Sequence, residues 1–296
     1  MDAEIQELYR RHLKCLSIYI DDFGDASYAF YAPETTADEV WFPDPRMGFE
    51  EDGFLCAYVP VTPDSVRLAY HYGIFPYFSG KVPRWSAPIN RFVLFPEKLH
   101  ISHSLRTLLN KRRYMVSFNR SFPEVVEACR TIEGRNRLAG AWLTPEIRRV
   151  YTLLYEEGIA KSVEVWDRED DRLVGGLYGI YINGCFMGES MFSRVSSGSK
   201  LALVGLCEFM KQDGGKLIDL QFETPHLKSM GGEHLPYYYY LTYLNPEAAK
   251  KIDAEFRNPI PRQNIISPRE NEPPEIPLTI DSPLLDIRTI TGDSRE

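Results

Sequence analysis

The sequence predicts an α+β fold, in which helices lead into an antiparallel meander and a strand–loop–helix–strand unit closes the chain. Three observations carry this. Thr144-Pro145 opens an amphipathic helix, with Ile147, Val150, Tyr151, Leu154 and Tyr155 on one side and Gly158 at its end. Asn183-Gly184 is a strong two-residue hairpin signal between two apolar strand segments. The apolar stretch Ser199–Gln212 reads as a buried helix, stopped by Gly214-Gly215 and followed by a further strand.

In chain order, residues 1–50 form an acidic, aromatic, Pro-bearing segment of weak periodicity. Thr62 can cap a short helix, because Pro63 suits its first position and Asp64 its first turn. Gly73–Gly80 reads as an aromatic loop, and Phe92–Phe95 as a strand. Ser102 can cap a helix running to about Lys111, Tyr114–Phe118 is a strand, and Ser121-Phe122-Pro123-Glu124 opens another helix. The meander consists of Ser162–Trp166, Leu173–Ile182 and Phe186–Phe192, and Lys216–Phe222 is the last strand. Composition shifts divide the chain into a small N-terminal domain (1–91), a second domain (92–255) and a Pro-rich C-terminal extension (256–296) expected to wrap the surface or stay mobile.

Composition narrows the function. The 296 residues are 44% hydrophobic, enough for a core. Apolar runs such as Leu201–Cys207 are too short to span a bilayer, and the acidic start Met1-Asp2-Ala3-Glu4 lacks a signal-peptide pattern, so a cytoplasmic protein is expected. Five cysteines without a Cys-x-x-Cys pair argue for buried thiols, not for a disulfide framework or a zinc site. A net charge of −8 disfavours coating of nucleic acid, yet permits one local basic patch. The densest basic cluster is Arg106, Lys111, Arg112, Arg113 and Arg120, which could meet phosphates or simply form a solvated helix end.

Three segments stand out as motifs: Gly73-Ile74-Phe75-Pro76-Tyr77-Phe78-Ser79 with Trp85-Ser86, Gly188-Glu189-Ser190-Met191-Phe192-Ser193-Arg194, and Gly214-Gly215-Lys216-Leu217-Ile218-Asp219-Leu220-Gln221. Together they resemble the leucyl/phenylalanyl-tRNA–protein transferases over roughly residues 50–245. That resemblance implies a small N-terminal α/β domain and an acyltransferase domain of the GNAT type. It implies transfer of Leu, Phe or Met from aminoacyl-tRNA to proteins beginning with Arg or Lys, feeding N-degron degradation. It also implies no metal and no organic cofactor, since the ester supplies the driving energy.

By the same resemblance, Gln221 accepts a hydrogen bond from the attacking amine beside Asp219, and Glu189 holds the aminoacyl-adenosine end. Alternation puts Asp219 and Gln221 on one wall. It also puts Glu189, Met191 and Ser193 opposite Ser190, Phe192 and Arg194. Asp219 could polarise Gln221 or pair with the acceptor's basic side chain. The bland alternative is two polar residues ending a strand for Asp219 and Gln221, and a structural partner of a nearby Lys or Arg for Glu189. Leu177, Phe186, Met191, Leu203 and Leu206 are candidates for the donor pocket, although each residue type is common in plain core. Trp142 matches a tryptophan near the terminal adenosine, and Tyr77 stands where the family often has tryptophan; either ring could stack on a base or simply pack.

The chain departs from the family at Asp52–Pro60, where Gly-Gly-Asp is usual, and at Tyr237, Tyr238 and Tyr239, where arginine is common. Altered donor or acceptor preference is therefore one alternative. A CoA-dependent N-acetyltransferase is another, with Arg194–Ser199 as a loose imitation of a pyrophosphate turn. A non-catalytic module that binds aminoacyl-tRNA or N-termini is the third.

Overall fold

A computed structural model describes residues 15–20, 26–31, 42, 45, 52–57, 59–79, 82–131 and 143–250. Its described residues fall into two compact units, one reaching to Arg91 and including 236–250, the other spanning Phe92–Leu235.

The first unit is built on a five-stranded sheet. Strands β1 (Cys15–Ile20) and β2 (Ala26–Tyr31) form an antiparallel pair, and β2 runs parallel to β3 (Phe54–Ala57). Helix α1 (Pro63–His71) begins as the sequence suggests: Thr62 accepts from the Ser65 N–H, and the Ser65 hydroxyl in turn accepts from the Thr62 N–H. The expected aromatic loop at 73–80 is instead mostly strand, since β4 (Phe75–Ser79) forms a hairpin with β5 (Val82–Ser86). Pro76 stands within β4. It is tolerated because β4 is an edge strand, where a missing N–H costs no ladder bond.

The second unit is organised around a seven-stranded sheet. It begins with β6 (Asn90–Leu94), a 3₁₀ turn at Pro96–Lys98, α2 (His103–Asn110) capped by Ser102, and β7 (Tyr114–Phe118). Then follow α3 (Phe122–Thr131) and α4 (Pro145–Glu156), the latter capped by Thr144. The meander is β8 (Ala160–Asp167), β9 (Leu173–Ile182) and β10 (Cys185–Ser193). At the β9–β10 turn, Asn183 and Gly184 both take positive φ (54° and 78°), as a type I′ turn needs. Helix α5 (Gly198–Asp213) crosses to β11 (Leu217–Gln221), followed by α6 (Pro225–Ser229) and β12 (Glu233–Pro236). Helix α7 (Tyr237–Leu244) belongs to the first unit.

The strand order is β12-β6-β11-β10-β9-β8-β7. Neighbours from β7 to β10 are antiparallel, β10 and β11 are parallel, and β11 is antiparallel to β6. Only the parallel pair needs a crossover, which α5 supplies. Helix α5 covers β7 to β10 on one face, while α3 and α4 cover the other. Every position of β9 is consequently buried, as in a strand sandwiched between helical layers. A core cluster unites Phe92, Leu105, Val163, Leu177 and Ile218 with Leu203 of α5. Cys56, Cys129, Cys185 and Cys207 are buried free thiols, and burial pushes the Cys185 thiol up to about 12, so it stays protonated and inert. Among the described residues no helix is long and apolar enough to cross a membrane.

Candidate active site

Pairing between the parallel strands β10 and β11 is short. It comprises Cys185↔Leu217, Phe186↔Ile218 and Met187↔Asp219, after which each strand continues with its other neighbour. Strand β10 runs on against β9 as far as Ser193, and β11 against β6 as far as Gln221. A gap therefore opens between the carboxyl ends of two parallel strands, a place where open sheets form crevices.

Both strands carry a bulge at that gap. On β10, Gly188 faces Gly179 and Ser190 faces Tyr178, so Glu189 is the extra residue of the bulge. On β11, Asp219 faces Val93 and Gln221 faces Phe92, so Leu220 is the extra residue. Gln221 takes a left-handed conformation (φ 62°), and its N–H donates to Asp219 Oδ1 at 2.8 Å. These bulges correct the expected alternation. Asp219 and Gln221 do not share one wall as residues two apart on a regular strand would. Asp219 is 1% exposed, opposite Val93, while Gln221 is half-buried opposite Phe92, a member of the core cluster.

The β10 bulge also reorganises the apolar candidates. Strict alternation would send Phe186 and Met191 to opposite faces. With the extra residue, Phe186 pairs with Tyr181 and Met191 with Leu177, and all four contribute to the same cluster. Leu177, Phe186, Leu203 and Leu206 are buried members, with Met191 half-buried at the margin. The five apolar candidates thus lie together. A small cleft on the same sheet face, with room for little more than a water molecule (about 10 Å³), is lined by Phe118, Val163, Tyr181, Phe186, Leu206 and Phe209, among others. It includes only two of the five.

The other candidates scatter. Tyr77 lies in the first unit, where its hydroxyl donates to Asp52 and Arg84 stacks over its ring at 5.4 Å. Burial and the Asp52 carboxylate raise the phenol to about 12. Trp142 lies outside the described residues. Of the basic cluster, Arg113 donates through Nε and Nη2 to the single oxygen Oδ2 of the buried Asp167, at 3.0 and 2.8 Å. Arg120 pairs with Asp171 at 3.2 Å and stacks on Trp166 at 4.5 Å. Arg106, Lys111 and Arg112 are exposed. Because β7 is antiparallel to β10 through three successive antiparallel steps, Arg112 and Arg113 precede β7 at the end of the sheet where the gap opens.

One group at this end was not legible in the sequence. Glu223, two residues beyond Gln221, accepts from Lys228 Nζ at 2.8 Å and from His234 Nε2 at 3.0 Å. A carboxylate only accepts, so His234 Nε2 carries the hydrogen. The Lys228 ammonium, ahead of His234, holds the Glu223 carboxyl below the usual carboxylate range. The His234 ring lies 5.0 Å from that of Phe92, the register partner of Gln221. The spacings 223, 228 and 234 follow neither a helical nor a strand period, so no sequence pattern joins them.

The sequence model of the leucyl/phenylalanyl-tRNA–protein transferases matches residues 93–245. Proteins bearing that family name are similar in sequence. The one from Chromohalobacter salexigens is 44% identical over 72% of this chain and 86% of its own length. That from Christiangramia forsetii is 44% identical over 68% and 95%. That from Syntrophus aciditrophicus is 45% identical over 67% and 81%. The structure of L-PGS from Bacillus licheniformis overlaps 74% of this chain and 75% of its own at 12% identity, with a TM-score of 0.33 that bears on nothing further.

Proposed function

The chain belongs to the leucyl/phenylalanyl-tRNA–protein transferase family and is an aminoacyltransferase; on that premise we propose that the gap between β10 and β11 is where aminoacyl ester and acceptor amine meet. One observation carries this reading. Pairing stops at Met187↔Asp219, and Glu189 and Gln221 stand in bulges on the two sides of the opening. An antiparallel hairpin followed by a crossover helix and a parallel strand also supports a GNAT-like acyltransferase architecture.

The donor is aminoacyl-tRNA charged with Leu, Phe or Met. The acceptor is a polypeptide beginning with Arg or Lys, and the product enters N-degron degradation in the cytoplasm. A neutral α-amine attacks the ester carbonyl carbon; the C–O bond to the terminal ribose then breaks, and the amine's proton leaves as the ribose hydroxyl is restored. With an α-amino pKa of 7.7–8.0, roughly a tenth of the amine is already neutral at pH 7. Orientation can therefore supply much of the acceleration, and no strong base is needed. Gln221 accepts a hydrogen bond from the amine. Asp219 is a positioning residue: buried and bonded to the Gln221 N–H, it fixes the left-handed turn that presents the amide. Its burial favours this role over pairing with an acceptor side chain.

Glu189 holds the aminoacyl-adenosine end. Leu177, Phe186, Met191, Leu203 and Leu206 form the donor pocket, with Met191 at its mouth. A purely apolar pocket separates ligands by only about 1–3 kcal/mol per methylene, which suits tolerance of several apolar side chains. Arg106, Lys111 and Arg112 contact tRNA phosphates, while Arg113 and Arg120 mainly brace the β8–β9 connection. Trp142 stacks on the terminal adenosine, and the Tyr77 ring of the first unit is a further candidate for stacking on a base. A CoA reading is disfavoured by an internal contact: the Ser199 N–H at the start of α5 donates to Ser193 Oγ at 3.1 Å, which uses a donor that a pyrophosphate would need.

The test is transfer from each charged tRNA to peptides beginning with Arg, Lys, Asp or Glu, using the wild type and Gln221→Ala. Labelled Arg and Lys peptides are expected from Leu-, Phe- and Met-tRNA. The substitution should lower turnover with little loss of tRNA affinity. Full turnover by Gln221→Ala would remove Gln221 from the reacting centre.

A further inference from the structure

We propose that Glu223 reads the basic side chain of the acceptor's first residue, and that Lys228 occupies it until the acceptor arrives. The inference rests on the acceptor chemistry given above and assigns it a residue. If the α-amine lies against Gln221, the side chain beside that amine must end on a carboxylate within its own length. Residues two apart are separated by at most about 7 Å of extended backbone, comparable to the reach of an arginine side chain. Glu223 is two residues beyond Gln221 and so lies within that limit.

The other carboxylates near the gap fit less well. Asp219 is 1% exposed and accepts from the Gln221 N–H at 2.8 Å. Glu189 sits in the β10 bulge, within the strand that carries the apolar candidates. Glu223 keeps a third of its side chain open to solvent (34%) and already holds two basic groups, Lys228 and His234. His234 packs against Phe92, which faces Gln221 across the sheet, so the carboxylate is tied to the strand beside the reacting centre. Lys228 is 64% exposed and comes from the short helix α6, so it can swing into solvent at little cost. An arginine fork can engage both carboxylate oxygens, whereas Lys228 binds only one, which favours exchange.

Two substitutions predict opposite shifts. Glu223→Gln keeps the shape and removes the charge. It should raise KM for Arg- and Lys-initiated peptides about ten-fold, the size of one charge-assisted hydrogen bond, with kcat and KM for aminoacyl-tRNA unchanged. Lys228→Met removes the resident competitor and should lower the same KM about three-fold. Glu223→Lys should shift preference towards Asp- and Glu-initiated peptides. Thermal unfolding of each variant shows whether the fold is retained. If both Glu223→Gln and Lys228→Met raise KM, the trio is only a surface clamp; if neither changes it, Glu223 does not meet the acceptor. Either result overturns the inference while transfer by the wild type upholds the function. Failure of the wild type to modify any basic peptide would refute the acceptor chemistry itself, and this assignment with it.

Discussion

Gly179→Ala tests whether the β10 bulge sets the catalytic geometry. Gly179 pairs with Gly188, immediately before the displaced Glu189. A methyl group built at Gly179 would lie 2.2 Å from the Met187 carbonyl oxygen and 2.7 Å from Cε1 of Phe186. An ordinary carbon–oxygen contact is about 3.3 Å or more, so β9 and β10 must part by about 1 Å. The obstacle includes backbone, which cannot turn aside as a flexible side chain can. Overpacking of this kind costs about 1–3 kcal/mol of stability. A displacement of about 1 Å at a reacting centre can lower the rate about a hundred-fold. Urea unfolding would measure the first effect, and single-turnover transfer from Leu-tRNA to an Arg-initiated peptide the second. Leu109→Ala is the control: it empties a buried site on α2 (4% exposed) and should cost about 2–5 kcal/mol while leaving the rate of the folded protein near wild type. A Gly179→Ala protein that loses stability but transfers at the wild-type rate would refute the role given to the bulge.

Three further outcomes are expected. Gln221→Gly relieves a left-handed residue, worth roughly 1–2 kcal/mol, against about 0.5–1 kcal/mol of added chain entropy; urea unfolding should show stability equal to wild type or slightly higher while turnover collapses, and a marked loss of stability would contradict the strain assignment. Met191→Ala enlarges the mouth of the donor pocket, so competition between Phe-tRNA and Leu-tRNA should shift about ten-fold towards the larger donor; an unchanged ratio would place the pocket elsewhere. Asp167 is held below the usual carboxylate range by Arg113, so its contribution to stability is present above the unfolded pKa of about 3.9 and is lost as pH falls through the lower folded value. Unfolding measured from pH 5 to pH 2 should therefore weaken less steeply in Asp167→Asn than in wild type, and parallel curves would show that the Arg113 pair contributes nothing.

Local chemistry wrote most of the elements directly into the chain. Thr62, Ser102 and Thr144 cap helices because a hydroxyl beside the first free N–H groups is a local arrangement. Asn183-Gly184 specifies its turn because two adjacent residues must tolerate positive φ. The motifs around Glu189 and Gln221 likewise identified the family from sequence alone. What the sequence could not express was register. Whether Asp219 and Gln221 share a wall, or Phe186 and Met191 a face, depends on which partner each residue meets across β6, β9 and β11. One unpaired residue reverses every side chain beyond it, and strand pairing, not composition, decides where that residue falls. Strand β4 depends on the sheet in the same way: an edge strand accepts a proline that a central strand would not, and edge position is a property of the sheet. The trio of Glu223, Lys228 and His234 exists only because α6 and β12 return towards the end of β11, a closure no local pattern encodes.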